Sequence, residues 1–228
     1  LIETSVLYTM SKERLGNTLT WIFFIVTALD LIGVGMDIHW LELICKPMIM
    51  VSLMAFYWVV SPRRRKLYLA ALFFSLLGDI FLLDKEGLFL MGIGAFLITQ
   101  ILFIVLVLSR RGPFSKSNLI LSTIPFLIYL VLLMRTLTPK LGDLFYPVLI
   151  YGSVISVFGI TALNYHLNQK NANSRILLTG AILFIASDSM IALNKFYSPH
   201  MIYPVAIMLT YALAQYLICH SMLMEEQS

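Results

Sequence analysis

Leu88-Phe-Leu-Met-Gly-Ile-Gly-Ala-Phe-Leu-Ile-Thr-Gln-Ile-Leu-Phe-Ile-Val-Leu-Val-Leu108 runs for 21 residues without a charged side chain. A hydrocarbon core about 30 Å thick takes about 20 apolar residues in helical form, so this run predicts a membrane-spanning helix. Seven further runs of similar character surround it: Leu19–Met36, Leu43–Val60, Leu67–Leu83, Leu119–Leu137, Leu144–Leu163, Ile176–Leu193 and Met201–Met224. Charged or turn-forming stretches part them, among them Ser61-Pro-Arg-Arg-Arg-Lys66, Asp84-Lys-Glu-Gly87, Arg110-Arg-Gly-Pro113 and Thr138-Pro-Lys-Leu-Gly-Asp143. None of the runs alternates polar and apolar residues as a barrel strand does. The prediction is an all-α polytopic membrane protein, a bundle of eight transmembrane helices. Residues 1–18 form a cytoplasmic N-terminal segment, and the short connections leave no room for a soluble domain, so residues 1–228 make a single transmembrane domain.

Composition agrees. The chain is 60% hydrophobic and 12% charged, with a mean hydropathy of +0.89, where soluble domains carry about 45–50% apolar and roughly 25% charged residues. Soluble, disordered, collagen-like and disulfide-stapled classes are excluded. The net charge of +4 does not point to nucleic acid, because the basic residues sit in short loops between apolar runs. Those loops set the orientation. Lys12, Arg14, Arg63 to Lys66, Arg110, Arg111, Lys116, Lys170 and Arg175 put eleven cations on the side of the N-terminus; Lys46, Lys85, Arg135, Lys140 and Lys195 put five on the other. Both termini are therefore expected in the cytoplasm of a cell whose inner membrane holds the protein. The first span lacks a small-residue cleavage site and carries Asp30, so no removed signal peptide is expected. Met10 opens a start-like Met-Ser-Lys-Glu-Arg, and residues 1–9 carry no weight in the reading. Cys45 and Cys219 fall near opposite membrane faces, which argues against a disulfide.

Against this background the ionisable residues inside spans stand out, each costing roughly 2.5–3.5 kcal/mol at a helix centre. Asp30, Asp79 and Asp188 each lie 11 or 12 residues into an outward-running span, about 17–18 Å from the inner boundary at 1.5 Å per residue. Lys46 opens the second span a few residues from the same plane. Asp30 reads equally well as a structural hydrogen-bonding residue, and Lys46 alone reads as a snorkelling lysine. Asp79 and Asp188 form the stronger pair, since each follows a small residue, in Ser75-Leu-Leu-Gly78-Asp79 and Phe184-Ile-Ala-Ser187-Asp188. A small residue beside a carboxylate admits a neighbouring helix, a water or a ligand.

Other chemistry finds little footing. His39, His166, His200 and His220 are scattered without zinc-like spacing, so no metal and no cofactor are expected. Neither a Gly-x-Ser-x-Gly elbow nor a P-loop is present. Gly152, Ser156 and Gly159 read as a helix-packing face. Tyr146, Tyr151, Tyr203 and Tyr211, with Trp21 and Trp40, read as interfacial or headgroup-level residues. Gln100 and Gln215 lie deeper and read as cross-helix hydrogen-bonding groups.

Cys45-Lys46-Pro47, Phe74-Ser75-Leu-Leu-Gly78-Asp79, Phe89-Leu-Met-Gly92-Ile-Gly-Ala-Phe96-Leu, Gly180-Ala181-Ile-Leu-Phe184-Ile-Ala-Ser187-Asp188 and Tyr211-Ala-Leu-Ala-Gln215 together resemble the YhhN family, over about Trp21 to Cys219. One departure is Gln100, where many members carry histidine. The resemblance implies a lysoplasmalogenase, a membrane hydrolase that cuts the vinyl ether of a lysoplasmalogen to a fatty aldehyde and glycerophosphocholine or glycerophosphoethanolamine. Such an ether is hydrolysed through protonation at carbon and capture of an oxocarbenium ion by water, which suits one protonated and one ionised carboxyl. Asp79 and Asp188 are the catalytic candidates; Lys46, Asp30 and Tyr203 are the substrate-binding candidates. The expected partners are a lysophospholipid and the surrounding lipid, with no nucleic acid. Lys46, Asp79 and Asp188 are expected to line one cavity in the outer half of the bundle. The competing expectation is a small proton-coupled transporter, although the prolines Pro47, Pro125, Pro147 and Pro204 read as lying mostly near span ends.

Overall fold

A computed structural model describes residues 2–84, 87–110 and 115–227, with side chains from 12 to 226 within these segments. Lys85 and Arg111, which enter the charge count above, lie outside the described residues. The chain is all-helical, in the order α1 (Ile2–Gly35), α2 (His39–Val60), α3 (Lys66–Leu83), α4 (Phe89–Leu108), α5 (Lys116–Leu141), a 3₁₀ turn (Gly142–Leu144), α6 (Phe145–Gln169), α7 (Ala172–Phe196) and α8 (Ile202–Gln227).

Most of these helices outrun the predicted spans, because a helix does not stop where its apolar run stops. Polar residues at a membrane boundary keep helical geometry as long as a cap satisfies the end groups. At the start of α7, Asn171 and Ser174 form a reciprocal capping box. α5 passes through Pro139 and ends only at Gly142, whose φ of 49° breaks the helix. The earlier helix starts also move Pro47 and Pro125 away from the ends and into the helices.

Among the described residues, seven helical stretches are long and apolar enough to cross a membrane. One of them, Lys116–Gln169, has 54 residues and contains both α5 and α6. At 1.5 Å per residue a straight helix of that length would be far longer than a bilayer is thick. It is not straight: α5 packs back along α6, and Asn118 in the first turn of α5 donates to Asn168 in the last turn of α6 at 3.0 Å.

Neighbours in sequence pair as hairpins, α1 with α2, α3 with α4, α5 with α6 and α7 with α8; α6 then packs on α4 and α7, and α8 on α1 and α2. Inside lies an aromatic core that includes Tyr57, Tyr68, Phe96, Phe103, Phe158, Phe184 and Tyr211. Outside, Ile120, Leu127, Val131 and Leu132 leave α5 with an exposed apolar face. Asp30, Ser75, Gln100 and Gln215, by contrast, are wholly buried. Apolar outside and polar inside is the distribution of an integral membrane protein, whose solvent is hydrocarbon.

Candidate active site

Asp79 lies on α3 one turn before the helix ends, and Gly78 decides what sits beside it. A Cβ at position 78 would come within 2.6 Å of the Phe96 ring of α4. The missing side chain thus admits Phe96 against the α3 backbone. Phe96 in turn meets the Tyr211 ring edge-on at 5.7 Å, and the Tyr211 hydroxyl donates to Asp79 Oδ2 at 2.8 Å. One turn further along α8, Gln215 Nε2 donates to Ser75 Oγ at 2.9 Å and approaches the Tyr211 oxygen at 3.4 Å. Ser75 donates to Thr99 Oγ1 at 3.2 Å, so the group that orients Asp79 is itself held from three helices.

Asp188 has a parallel setting on α7. The Tyr151 hydroxyl of α6 donates to its Oδ2, and Gln100 Nε2 of α4 reaches the same oxygen at 3.5 Å. Ser187 next to it donates to the Ile207 carbonyl of α8 at 3.1 Å, which draws α7 and α8 together. Gly78 and Ser187 therefore serve the close helix approach that a small residue before each aspartate suggests.

Both aspartates, nearly buried, line a cavity of about 350 Å³ together with Lys46. The walls come from the ends of α1, α3 and α7 and the beginnings of α2, α4 and α8, and exposed Asp37 and Lys195 mark where the cavity meets the surface. A smaller void of about 30 Å³ adjoins Asp188 on the side of Tyr151 and Val148.

The other two predicted binding residues lie elsewhere. Asp30 is fully enclosed, with neither carboxylate oxygen hydrogen-bonded; the charges near it include those of Lys46, Glu42 and Asp79. It is not among the residues lining the cavity. Tyr203 sits in the first turn of α8 with its ring edge toward His200 at 6.2 Å. The inner face of α8 is made by Pro204, Ile207, Met208 and Tyr211, at helical spacing. Tyr203, about 100° round the helix from Pro204, does not join it.

Two tyrosines read from sequence as interfacial, Tyr151 and Tyr211, are instead the hydrogen-bond donors to the aspartates. Trp21, Trp40 and Tyr146 are exposed on the surface. Glu42 and Asp37 at the cavity were missed altogether; counting helical turns from Lys46 would have found Glu42. Gly152 and Gly159 do form a packing face, with Leu130 and Phe126 of α5 lying over them. Cys45 and Cys219 are both free thiols.

The family model described as the YhhN family matches residues 41–222. The chain belongs to the YhhN family. The matched YhhN segment contains Lys46, Asp79, Asp188, Tyr151 and Tyr211, whereas Asp30 and the rest of α1 precede it. No curated protein and no solved structure matches the chain.

Proposed function

We propose that this YhhN-family protein is a membrane-embedded hydrolase that cleaves the vinyl ether of lysoplasmalogens. The products are a fatty aldehyde and glycerophosphocholine or glycerophosphoethanolamine. The observation that carries the reading is the pair Asp79 and Asp188 lining one cavity with Lys46, each carboxyl held by a tyrosine from another helix. Membership of the YhhN family supports it.

In the proposed reaction one aspartic acid gives its proton to the alkenyl carbon remote from the ether oxygen. The resulting oxocarbenium ion is steadied by the second carboxylate, which also takes a proton from the attacking water. The hemiacetal then collapses: its hydroxyl proton leaves, the carbon–oxygen bond to glycerol breaks, and the glycerol oxygen is protonated. The two carboxyls end the cycle with the protons they began with. Lys46 holds the substrate phosphate near the mouth, with the vinyl ether a few bonds deeper. A cavity of about 350 Å³ suits the reactive portion of a single-chain lipid. We further propose that the single domain crosses the bacterial inner membrane eight times, α5 and α6 counting separately, with both termini in the cytoplasm.

The test is aldehyde release from lysoplasmalogen by purified protein in detergent, read through a coupled dehydrogenase. No aldehyde above an Asp79→Asn control would sink the reading. A second reading, a proton-coupled carrier, draws on the buried polar chain from Asp79 through Tyr211 and Gln215 to Ser75 and Thr99. Proton or substrate flux in liposomes that is lost in Asp188→Asn, with no hydrolysis, would favour it.

A further inference from the structure

The cavity carries more acid than the hydrolysis needs. Asp37 and Glu42 line it along with Asp79 and Asp188, four carboxyls against the two ammoniums of Lys46 and Lys195. A ligand bearing only negative charge would meet Lys46 but also this acidic excess. A ligand bearing a phosphate and an ammonium would find a counter-charge for each.

Glu42 is the residue that gives this asymmetry a place. It is only 7% exposed and lines the cavity, yet among the described residues its carboxylate has no hydrogen bond or ion pair from another side chain. Its carboxylate oxygens are not among the fully enclosed polar atoms left without a partner, so they open on the cavity, and their counter-charge is expected to come from what fills it. Its backbone is firmly set. A Cβ on Gly33 would lie 3.2 Å from Leu41 Cβ and 3.4 Å from the Glu42 nitrogen, so α1 and α2 are in close contact there. Lys46 follows one turn later on the same face of α2. Asp37 stands at the mouth, in the α1–α2 turn, with a φ of 55°.

We propose that Glu42, with Asp37 beside it at the mouth, binds the ammonium of a zwitterionic lysolipid headgroup whose phosphate is held by Lys46. Side chains one helical turn apart are separated by about 5–6 Å at Cβ, a span suited to a phosphate and an ammonium bridged by two carbons. The assignment rests on the hydrolase reading for the identity of the substrate, but the recognition it describes is measurable without any turnover.

The experiment uses ester-linked lysophosphatidylethanolamine and lysophosphatidylglycerol with one acyl chain. Neither has a vinyl ether, so binding to the full-length protein in detergent is read by thermal-shift titration whether or not the protein hydrolyses anything. Wild type is expected to bind the ethanolamine lipid about tenfold more tightly, the worth of one charge-assisted contact. Glu42→Gln is expected to erase that preference by weakening the ethanolamine lipid alone, and Asp37→Asn to reduce it. Equal binding of the two lipids by wild type overturns the proposal, as does an unchanged preference in Glu42→Gln. Should Glu42→Gln not fold, an unchanged preference in Asp37→Asn overturns it instead, since Asn tolerates the positive φ at that position. Absence of aldehyde release from lysoplasmalogen would defeat the hydrolase reading and leave the binding ratio, and this inference, standing or falling separately.

Discussion

Exchanging a carboxyl for a carboxamide keeps size and burial while removing proton transfer, so the aspartates can be tested without dismantling the bundle. Asp79→Asn and Asp188→Asn are each expected to cut turnover by roughly 100-fold or more, with circular dichroism and size-exclusion behaviour in detergent unchanged. Near wild-type turnover in either variant removes that residue from the mechanism. Wild-type activity against pH should be bell-shaped, with limbs that belong to the coupled pair rather than to one aspartate; a flat profile between pH 5 and 9 would contradict shared acid–base work. Lys46→Met is expected to raise KM more than it lowers kcat, because a phosphate remote from the reacting carbon is bound alike in ground and transition states. A variant with unchanged KM and reduced kcat would move Lys46 from binding to chemistry. At this scale the sequence was informative only where the physics is one-sided. A charge in an apolar run is costly, and the shared depth of Asp79, Asp188 and Lys46 pointed to one cavity, which they line; Asp30, at the same depth, does not line it. A tyrosine has many innocent explanations, so Tyr151 and Tyr211 were read as interfacial. Glu42 was hidden because the predicted second span begins one residue after it, whereas α2 begins at His39.

The all-helical, membrane-spanning character could be read from apolar run length, while helix ends could not. Hydropathy reports where hydrocarbon begins, but capping and turn geometry decide where the backbone stops, as Gly142 does for α5. Packing at the elements' contact faces was partly readable. Gly152, Ser156 and Gly159 recur on one side of α6, and the Phe126 ring of α5 occupies the space that a Cβ at 159 would fill. Gly159→Val is therefore expected to force α5 away from α6 and to destabilise the protein by roughly 1–3 kcal/mol, the usual range for overpacking. Gly94→Ala serves as control, because nothing lies within 4 Å of the added methyl. Thermal denaturation in detergent should separate the two variants by several degrees. Equal melting temperatures would mean that the hairpin tolerates the spread.

The molecule is closed at the end opposite the cavity by a polar cluster that no motif announced. Glu226, near the end of α8, accepts hydrogen bonds from Tyr57 and Ser61. Glu225 pairs with Arg65 at 2.9 Å and with Arg110 at 2.7 Å, the latter outside hydrogen-bonding alignment. Glu226→Ala leaves the buried Tyr57 hydroxyl without its acceptor and is expected to cost roughly 2–4 kcal/mol. In detergent the loss should appear as a lower melting temperature, with headgroup preference retained. An unaltered melting temperature would show the cluster to be incidental. Long-range pairings of this kind join residues more than a hundred positions apart and leave no periodic trace. Under the proposed topology a fluorescent protein fused after Ser228 should mature in the cytoplasm, whereas an alkaline phosphatase fused there should stay inactive; the reverse pattern would invert the protein. That topology has a bearing on cellular economy. The cavity meets the surface at the ends of α1, α3 and α7, remote from the closed end, so the proposed cleavage would partition one molecule between two compartments. Under the proposed reaction and topology the aldehyde would stay dissolved in the bilayer, available to enzymes on either leaflet, whereas the glycerophospho-alcohol would depart into the outer aqueous space. A cell that reuses that alcohol must bring it back by import.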